Sequence, residues 1–152
     1  MIEPPRRRFL SVLAGTACAL LAGREARAAA ADPFAPLVAK LTGGAPVRAG
    51  RVKLEMPRLA DNGHSVPVRI VVESPMTAAD HVRAITLLSG RNPRPLMATF
   101  HLGPRAGRPE VATRVRLNGT QHVLAVAQLS DGSWWSGSAE VEVTESACLD
   151  AG

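Results

Sequence analysis

The stretch Val66-Pro67-Val68-Arg69-Ile70-Val71-Val72-Glu73 carries an aliphatic side chain at every second position. A period of two is that of a β-strand with one buried face. We therefore predict a strand here. Its core face is formed by Val66, Val68, Ile70 and Val72, and its other face by Pro67, Arg69, Val71 and Glu73.

Further strands are predicted on both sides of this stretch, separated by turn signals such as Pro57, Asn118-Gly119 and Asp131-Gly132. Residues 59–64 contain an Asn-Gly pair and are predicted to form a loop. The predicted strands cover residues 51–56, 66–72, 81–88, 96–102, 111–117, 122–129 and a last segment that ends at Thr144. Within residues 81–88, one face is expected to hold Val82, Ala84, Thr86 and Leu88.

Six or seven short strands at this spacing predict an all-β fold, an immunoglobulin-like antiparallel β-sandwich over residues 31–144. The chain has no tyrosine and no cysteine pair suited to an antibody-type disulfide, so this likeness concerns architecture alone. Aromatic residues make up only 3% of the sequence, and the core must therefore consist of Val, Leu, Ile and Ala.

One short helix is predicted before the first strand. Asp32 is suited to capping and Pro33 to the first helical position, whereas Gly43-Gly44 is suited to ending the helix. An apolar stripe at helical spacing consists of Phe34, Leu37, Val38 and Leu41. We expect this helix to pack on a sheet or on a partner.

Residues 122–129 are apolar on both faces, with Val123, Ala125 and Ala127 on one and Leu124 and Val126 on the other. A two-layer sandwich buries one face of each strand unless something covers the second. The pattern therefore predicts a central or interfacial strand, and we expect a second sandwich protein to cover its outer face.

Residues 1–30 have the pattern of a cleaved export signal. Arg6-Arg7-Arg8 precedes an apolar run from Phe9 to Gly23, and small residues suited to cleavage follow. The run is shorter than the roughly 20 residues of a membrane span, so no membrane anchor is expected. Arg-Arg-x-Phe-Leu is similar to a twin-arginine signal, and an ordinary secretory signal is the alternative. Either route predicts an exported protein.

Removal of this signal changes the charge argument. It takes away five arginines and two glutamates, so 13 basic and 11 acidic residues remain and the net charge falls from +5 to about +2. The mature chain is then close to neutral and has no basic run interleaved with aromatic residues. We expect no nucleic-acid partner.

The sequence has two cysteines, Cys18 and Cys148, and we expect only Cys148 to remain in the mature protein. Cys18 lies in the apolar run of the signal and is expected to be lost, which leaves Cys148 alone in an exported protein. An odd cysteine in an oxidising compartment suggests a reactive or intermolecular role. Residues 145–152 follow the last predicted strand, and we expect them to form a mobile arm that presents Cys148. An incidental cysteine in a frayed tail is the alternative.

Other site chemistry is not supported by the sequence. The four histidines, at positions 64, 81, 101 and 122, lack metal-ligand spacing, and no metal or other cofactor is expected. A blue-copper site needs a His and a Met soon after the cysteine, which residues 149–152 do not supply. A cysteine hydrolase needs a histidine held against the thiol, and nothing around Cys148 provides one. We predict no catalytic residue.

Several motifs along the mature chain resemble those of the SoxY family, the sulfur-carrier subunits of a periplasmic thiosulfate-oxidising system. The late cysteine after a Val-x-Val-Thr strand is also similar. The motifs are Leu59-Ala60-Asp61-Asn62-Gly63, Val66-Pro67-Val68, Ser74-Pro75-Met76-Thr77, Asn92-Pro93, Thr113-Arg114-Val115-Arg116-Leu117 and Ser130-Asp131-Gly132.

The resemblance implies a carrier and not an enzyme. It implies that Cys148 holds the sulfur substrate covalently and that the chain pairs with a second sandwich protein, SoxZ. It also implies separate enzymes that act on the bound sulfur: a c-type cytochrome that attaches thiosulfate, a hydrolase that releases sulfate, and a sulfur dehydrogenase. A periplasmic protein-binding sandwich with a vestigial cysteine is the alternative function.

The arm itself differs from the family pattern. The family arm ends Gly-Gly-Cys-Gly-Gly, whereas this chain reads Ser146-Ala147-Cys148-Leu149-Asp150-Ala151-Gly152, so only the cysteine matches. Glycine passes through a narrow channel without side-chain clashes, whereas Leu149 adds bulk and Asp150 adds charge. A carrier for another sulfur compound, or one with fewer partner enzymes, is therefore an alternative.

Overall fold

The computed structural model describes residues 32–146, which contain one α-helix and nine strands. The predicted signal (1–30) and most of the predicted arm, including Cys148, lie outside the described residues. The elements are α1 (Ala35–Thr42), β1 (Val47–Ala49), β2 (Val52–Glu55), β3 (Leu59–Asn62), β4 (Val66–Val72), β5 (Val82–Ser89), β6 (Leu96–His101), a 3₁₀ turn (Pro104–Ala106), β7 (Glu110–Val115), β8 (Gln121–Leu129) and β9 (Trp134–Glu145).

The strands form two sheets that face each other. The larger has the order β1-β9-β8-β5-β6, with β3 also paired to β9, and the smaller has the order β2-β4-β7. Most pairs are antiparallel, whereas β1 and β3 run parallel to β9. The predicted all-β, immunoglobulin-like sandwich is confirmed.

The core lies between the sheets and contains the aliphatic face of β4. Val66, Val68, Ile70 and Val72 are all buried there, as predicted, together with Val123, Ala125, Ala127 and Leu129 of β8. Complete burial of such a side chain stabilises the fold by roughly 1.5–3 kcal/mol. Burial of these four side chains is therefore the energetic reason why residues 66–72 form a strand with this face inward.

Helix α1 packs on the outer face of the larger sheet. Phe34, Leu88 and Val126 are buried beneath it, with Leu124 and Trp134 alongside. The strand β8 is central, as predicted, but the expectation that a second protein covers its outer face is wrong because the chain's own helix does so. The helix begins two residues later than Pro33 would suggest, although Asp32 Oδ1 still accepts a hydrogen bond from the Phe34 N–H at 2.9 Å. It ends at Gly43, whose φ of 64° lies in the left-handed region.

The face assignment within β5 is wrong for Val82. A bulge between Val82 and Ala84 shifts the register against β8, so Val82 lies in the inter-sheet core while Leu88 lies under α1. A bulge adds one residue and reverses the side-chain alternation that follows it. Periodicity alone does not reveal this reversal.

Residues 59–62 form strand β3, so the loop predicted over 59–64 is wrong for its first four residues. Leu59 pairs with Glu142 and Asn62 with Glu145 along the edge of β9. This short strand exists because the β9 backbone offers it partners, and not because of its own apolar pattern. Within residues 32–146, no helix has the length and apolar character needed to cross a membrane.

Candidate functional site

Strand β9 carries the chain toward the predicted substrate cysteine. It is 12 residues long and pairs along most of its length with β8. On its other side, β1 pairs with its beginning and β3 with its end. The last described residue is Ser146, and Cys148 follows two positions later, outside the described residues. The structure therefore describes the part of the chain that directly precedes Ala147 and Cys148.

Two loops hold the end of β9 by hydrogen bonds. The Gly63 N–H donates to the Glu145 carbonyl at 2.7 Å, and the Ser146 hydroxyl donates to Asn118 Oδ1 at 2.5 Å. We call Asn62, Gly63, Asn118, Glu145 and Ser146 the arm base. The Leu117 N–H also donates to the Gly63 carbonyl at 2.8 Å, which joins the two loops to each other. The point at which the chain leaves the sandwich is thus fixed from two sides.

A polar network behind the arm base is organised by Asn92. Its Oδ1 accepts hydrogen bonds from the Asn118 N–H at 2.8 Å and from Gln121 Nε2 at 3.1 Å. Its Nδ2 donates to the Arg116 carbonyl at 2.8 Å, and its N–H donates to Ser89 Oγ at 2.8 Å. The Asn92 side chain therefore joins the loop after β5 to residues 116–121, between β7 and the start of β8.

Two members of this network, Ser89 and Gln121, are buried, with 1% and 6% of their surface exposed. The Ser89 hydroxyl donates to Gln121 Oε1, and Gln121 Nε2 also donates to the Gly119 carbonyl at 3.2 Å. Buried polar groups that all have partners make a rigid network. Rigidity at this point fixes the position of Asn118 and hence of Ser146.

A guanidinium also lies at the arm base. A Cβ added at Gly119 would lie 3.2 Å from Arg91 Nη1, so the Arg91 side chain covers the Asn118–Gly119 turn. Gly119 has a φ of 81°, which favours glycine as well. The sequence gives no signal for this cation, because Arg91 is distant from Cys148 along the chain. Its loop is brought there by the bonds of Asn92 and by two backbone donors: the Gly90 N–H donates to the His122 carbonyl at 3.0 Å, and the Arg91 N–H donates to Gln121 Oε1 at 3.2 Å.

The predicted non-ligand histidines lie in ordinary surroundings. His81 Nδ1 is 3.1 Å from the Thr77 carbonyl, and His122 Nε2 is 3.9 Å from a Glu140 carboxylate oxygen. The His64 N–H donates to Asn62 Oδ1 at 3.2 Å beside the arm base. Over residues 32–146, no three His, Cys, Asp or Glu side chains are grouped as metal ligands.

Comparison with solved structures identifies similar folds. The sulfur carrier protein SoxY from Chlorobium limicola f thiosulfatophilum is 27% identical, with a TM-score of 0.60 over 72% of this chain and 94% of that one. A superoxide reductase (neelaredoxin) from Ignicoccus hospitalis is 24% identical, with a TM-score of 0.55 over 62% of this chain and 80% of that one. The superoxide reductase from Nanoarchaeum equitans is 13% identical, with a TM-score of 0.53 over 63% of this chain and all of that one. The two reductases show a shared fold alone.

Comparison of sequences is more specific. No curated protein matches the chain significantly. The family model described as sulfur oxidation protein SoxY matches residues 38–148, which is well over half of the chain and extends to Cys148. Because this match covers the sandwich from α1 onward, the chain belongs to the SoxY family of sulfur oxidation proteins.

Proposed function

We propose that this SoxY-family protein is a periplasmic sulfur carrier, not an enzyme, that binds thiosulfate-derived intermediates covalently through Cys148. The observation that carries the proposal is the family match, which extends to Cys148. The solved relative from Chlorobium limicola is itself described as a sulfur carrier protein. The fixed arm base supports the same function, because a carrier needs its attachment point held on a stable body.

The arm is long enough to present the thiol away from the sandwich. Two residues, Ser146 and Ala147, lie between Glu145, at the end of β9, and Cys148, so the thiol-bearing residue is three steps along the chain. An extended chain spans roughly 3.3 Å per residue, so Cys148 can lie about 10 Å from the strand end. A partner enzyme could reach a thiol at that distance without contact with the sheets.

Loading is an oxidation and needs an external electron acceptor. The Cys148 thiol loses a proton, a sulfur–sulfur bond forms to thiosulfate, and two electrons leave for a c-type cytochrome. A hydrolase then cleaves the terminal sulfonate with water, which releases sulfate and leaves a persulfide on Cys148. A sulfur dehydrogenase would act on that persulfide. The carrier supplies the sulfur anchor and none of the electron chemistry.

The thiol is expected to need a partner for its activation. Glu145 and Asp150 are acidic neighbours of Cys148, and negative charge disfavours the thiolate that reacts. Arg91 is a cation of the arm base, where its side chain lies against Gly119. A thiol that reacts only inside a partner's site suits the periplasm, because a self-activated thiol would be oxidised there.

The arm sequence limits which partners can process the bound sulfur. Leu149 and Asp150 replace the glycines of the family arm, and their side chains restrict entry into a narrow channel. Replacing both with glycine should speed processing by the enzymes of a standard Sox system. The rate is followed by intact mass after thiosulfate and those enzymes are added. An unchanged rate would show that the side chains of Leu149 and Asp150 do not restrict processing.

A SoxZ-like sandwich subunit is the expected stable partner. Membership of the SoxY family supports it, whereas the outer face of β8 does not, because α1 covers that face. Co-expression followed by size-exclusion chromatography tests the pairing. A monodisperse monomer in the presence of a SoxZ-like protein would argue against it.

Mass spectrometry of the protein isolated from sulfur-grown cells separates the two candidate functions. A carrier is expected to show mass additions of sulfur or thiosulfate on Cys148. A binding module with a vestigial cysteine would show the unmodified mass under the same conditions.

A further inference from the structure

The two sheets leave an open cleft along one side of the sandwich, between β6 and β7. Its volume is about 510 Å³, and half-buried apolar side chains of Met97, Phe100 and Val115 line it. Arg94, Arg114 and Arg116 lie around these residues and are exposed. We call these six residues the edge cleft.

The charge around the edge cleft is strongly one-sided. The residues that line it include three arginines and no acidic residue, and the acidic residue of β7 is Glu110. The Glu110 carboxylate is already engaged, since Arg69 Nε donates to it at 2.7 Å on the outer face of the smaller sheet. The edge cleft therefore has a positive potential although the mature chain is close to neutral.

The cleft arginines lack an acidic partner among the residues that the structure describes. Within residues 32–146, no ion pair includes Arg94, Arg114 or Arg116. Arg114 donates instead to the Ser65 hydroxyl at 2.6 Å and to the Ser65 carbonyl at 2.8 Å, which leaves its charge uncompensated. The Arg114 guanidinium is thus held against Ser65 on the outer face of the smaller sheet. The guanidinium groups of Arg94 and Arg116, beside the apolar lining, match a ligand that has both carboxylates and apolar side chains.

The backbone at this cleft offers a further means of binding. Among the described strands, β6 pairs only with β5 and β7 only with β4, so both lie at a sheet edge. An edge strand has unpaired N–H and C=O groups that can accept another strand. Side chains of an added strand would alternate between two directions, which suits a cleft with an apolar floor and a cationic rim.

We propose that the edge cleft binds an acidic segment of a partner protein in extended conformation, added as a strand beside β6. Glutamate or aspartate at alternate positions pairs with Arg94 and Arg116. Apolar residues between them contact Met97, Phe100 and Val115. This docking does not depend on sulfur attachment to Cys148.

A peptide of about ten residues that alternates glutamate with threonine and valine is a suitable probe. Its affinity is measured by isothermal titration calorimetry with the full mature chain at physiological salt. In the double variant Arg94→Ala with Arg116→Ala, we expect the affinity to fall at least about tenfold, because two charge-assisted contacts are lost. The variant Cys148→Ala should bind like the wild type, which separates this docking from the carrier function.

A matched control removes the same charge elsewhere. Arg48 and Arg58 are exposed and lie outside the edge cleft, so Arg48→Ala with Arg58→Ala lowers the net charge equally. We expect this control to change the affinity by less than about twofold, since exposed charges beyond the Debye length are screened. Equal losses in the two double variants would overturn the proposal, and so would the absence of peptide binding to the wild type.

Backbone amide exchange tests the added strand itself. Binding of the peptide should protect amides of β6 from exchange and leave those of central β8 unchanged. A single-stranded oligonucleotide serves as the other polyanion. Tighter binding of the oligonucleotide than of the peptide, with no protection in β6, would contradict the proposal.

Discussion

At the scale of single residues, the arm base depends on one asparagine. Asn92 bonds to Ser89, Arg116, Asn118 and Gln121, and Asn118 in turn accepts the hydrogen bond of Ser146. The sequence predicts a loop at Asn92-Pro93 from its turn signals. It does not predict the network, because the bonds join segments that only the folded sheets bring together.

Replacing Asn92 with alanine should lower the free energy of unfolding by about 1–3 kcal/mol, because the buried Gln121 amide loses a partner. Urea unfolding measures the change. Asn62→Ala is the matched control, since within residues 32–146 the Asn62 side chain bonds only the exposed His64 N–H, at 3.2 Å. Its effect should stay within about 0.5 kcal/mol. If Asn62→Ala lowered the free energy of unfolding as much as Asn92→Ala, the role of Asn92 in the polar network would be contradicted.

At the scale of elements, long alternating patterns were the reliable signal. Strand β4 is predicted almost to the residue, because four buried aliphatic side chains at period two leave no other register. The short strands β1 and β3 are not predicted, because backbone pairing with β9 creates them. The position of Cys148 relative to the sandwich is predicted only as an arm after the last strand.

Strand β9 passes very close to β2 at Gly137. A Cβ added there would clash with the Val52 carbonyl oxygen, which is backbone and cannot rotate away. We expect Gly137→Ala to destabilise the fold by about 1–3 kcal/mol or more, as overpacking does. Gly103→Ala is the control, because Gly103 has extended backbone and open space around its Cα. Equal unfolding midpoints in urea for the two variants would show that the close approach is not required.

The outer face of the smaller sheet is joined across its three strands by ion pairs. Arg69 of β4 contacts Glu110 of β7 at 2.7 Å and Glu55 of β2 at 3.0 Å. The hydrogen bond from Arg69 lowers the pKa of Glu110 below its ordinary value. Lys53 and then Arg69 lower the pKa of Glu55.

Carboxyl groups whose pKa is lower in the folded state stabilise the fold above their ordinary pKa, and this contribution is lost as the pH falls. We therefore expect the melting temperature of the wild type to fall between about pH 5 and pH 3 more steeply than that of Arg69→Met. Thermal unfolding at a series of pH values gives both slopes. Parallel curves would mean that the three side chains are too well solvated to contribute.

At the scale of the whole molecule, the two sides of the sandwich differ in charge. Arginines lie around the edge cleft at β6 and β7, whereas Glu140, Glu142 and Glu145 lie on β9 near the arm base. The two regions meet at Asn92, which lines the cleft and whose Oδ1 accepts a hydrogen bond from the Asn118 N–H at 2.8 Å. A partner that docks at the edge cleft would therefore lie beside the arm base.

The predicted export signal in residues 1–30 can be tested by a double substitution. If residues 1–30 are a twin-arginine signal, the double variant Arg6→Lys with Arg7→Lys should remain in the cytoplasm. Cell fractionation and immunoblotting measure its location. Normal periplasmic delivery of the variant would indicate the general secretory route.

The central claim is that Cys148 carries the sulfur, and loading in vitro tests it most directly. The wild type and Cys148→Ala are each incubated with thiosulfate and the enzymes of a Sox system, and their intact masses are compared. The account predicts a thiosulfate-derived addition on the wild type and none on Cys148→Ala, with the same melting temperature for both. An equal addition on both proteins would contradict it.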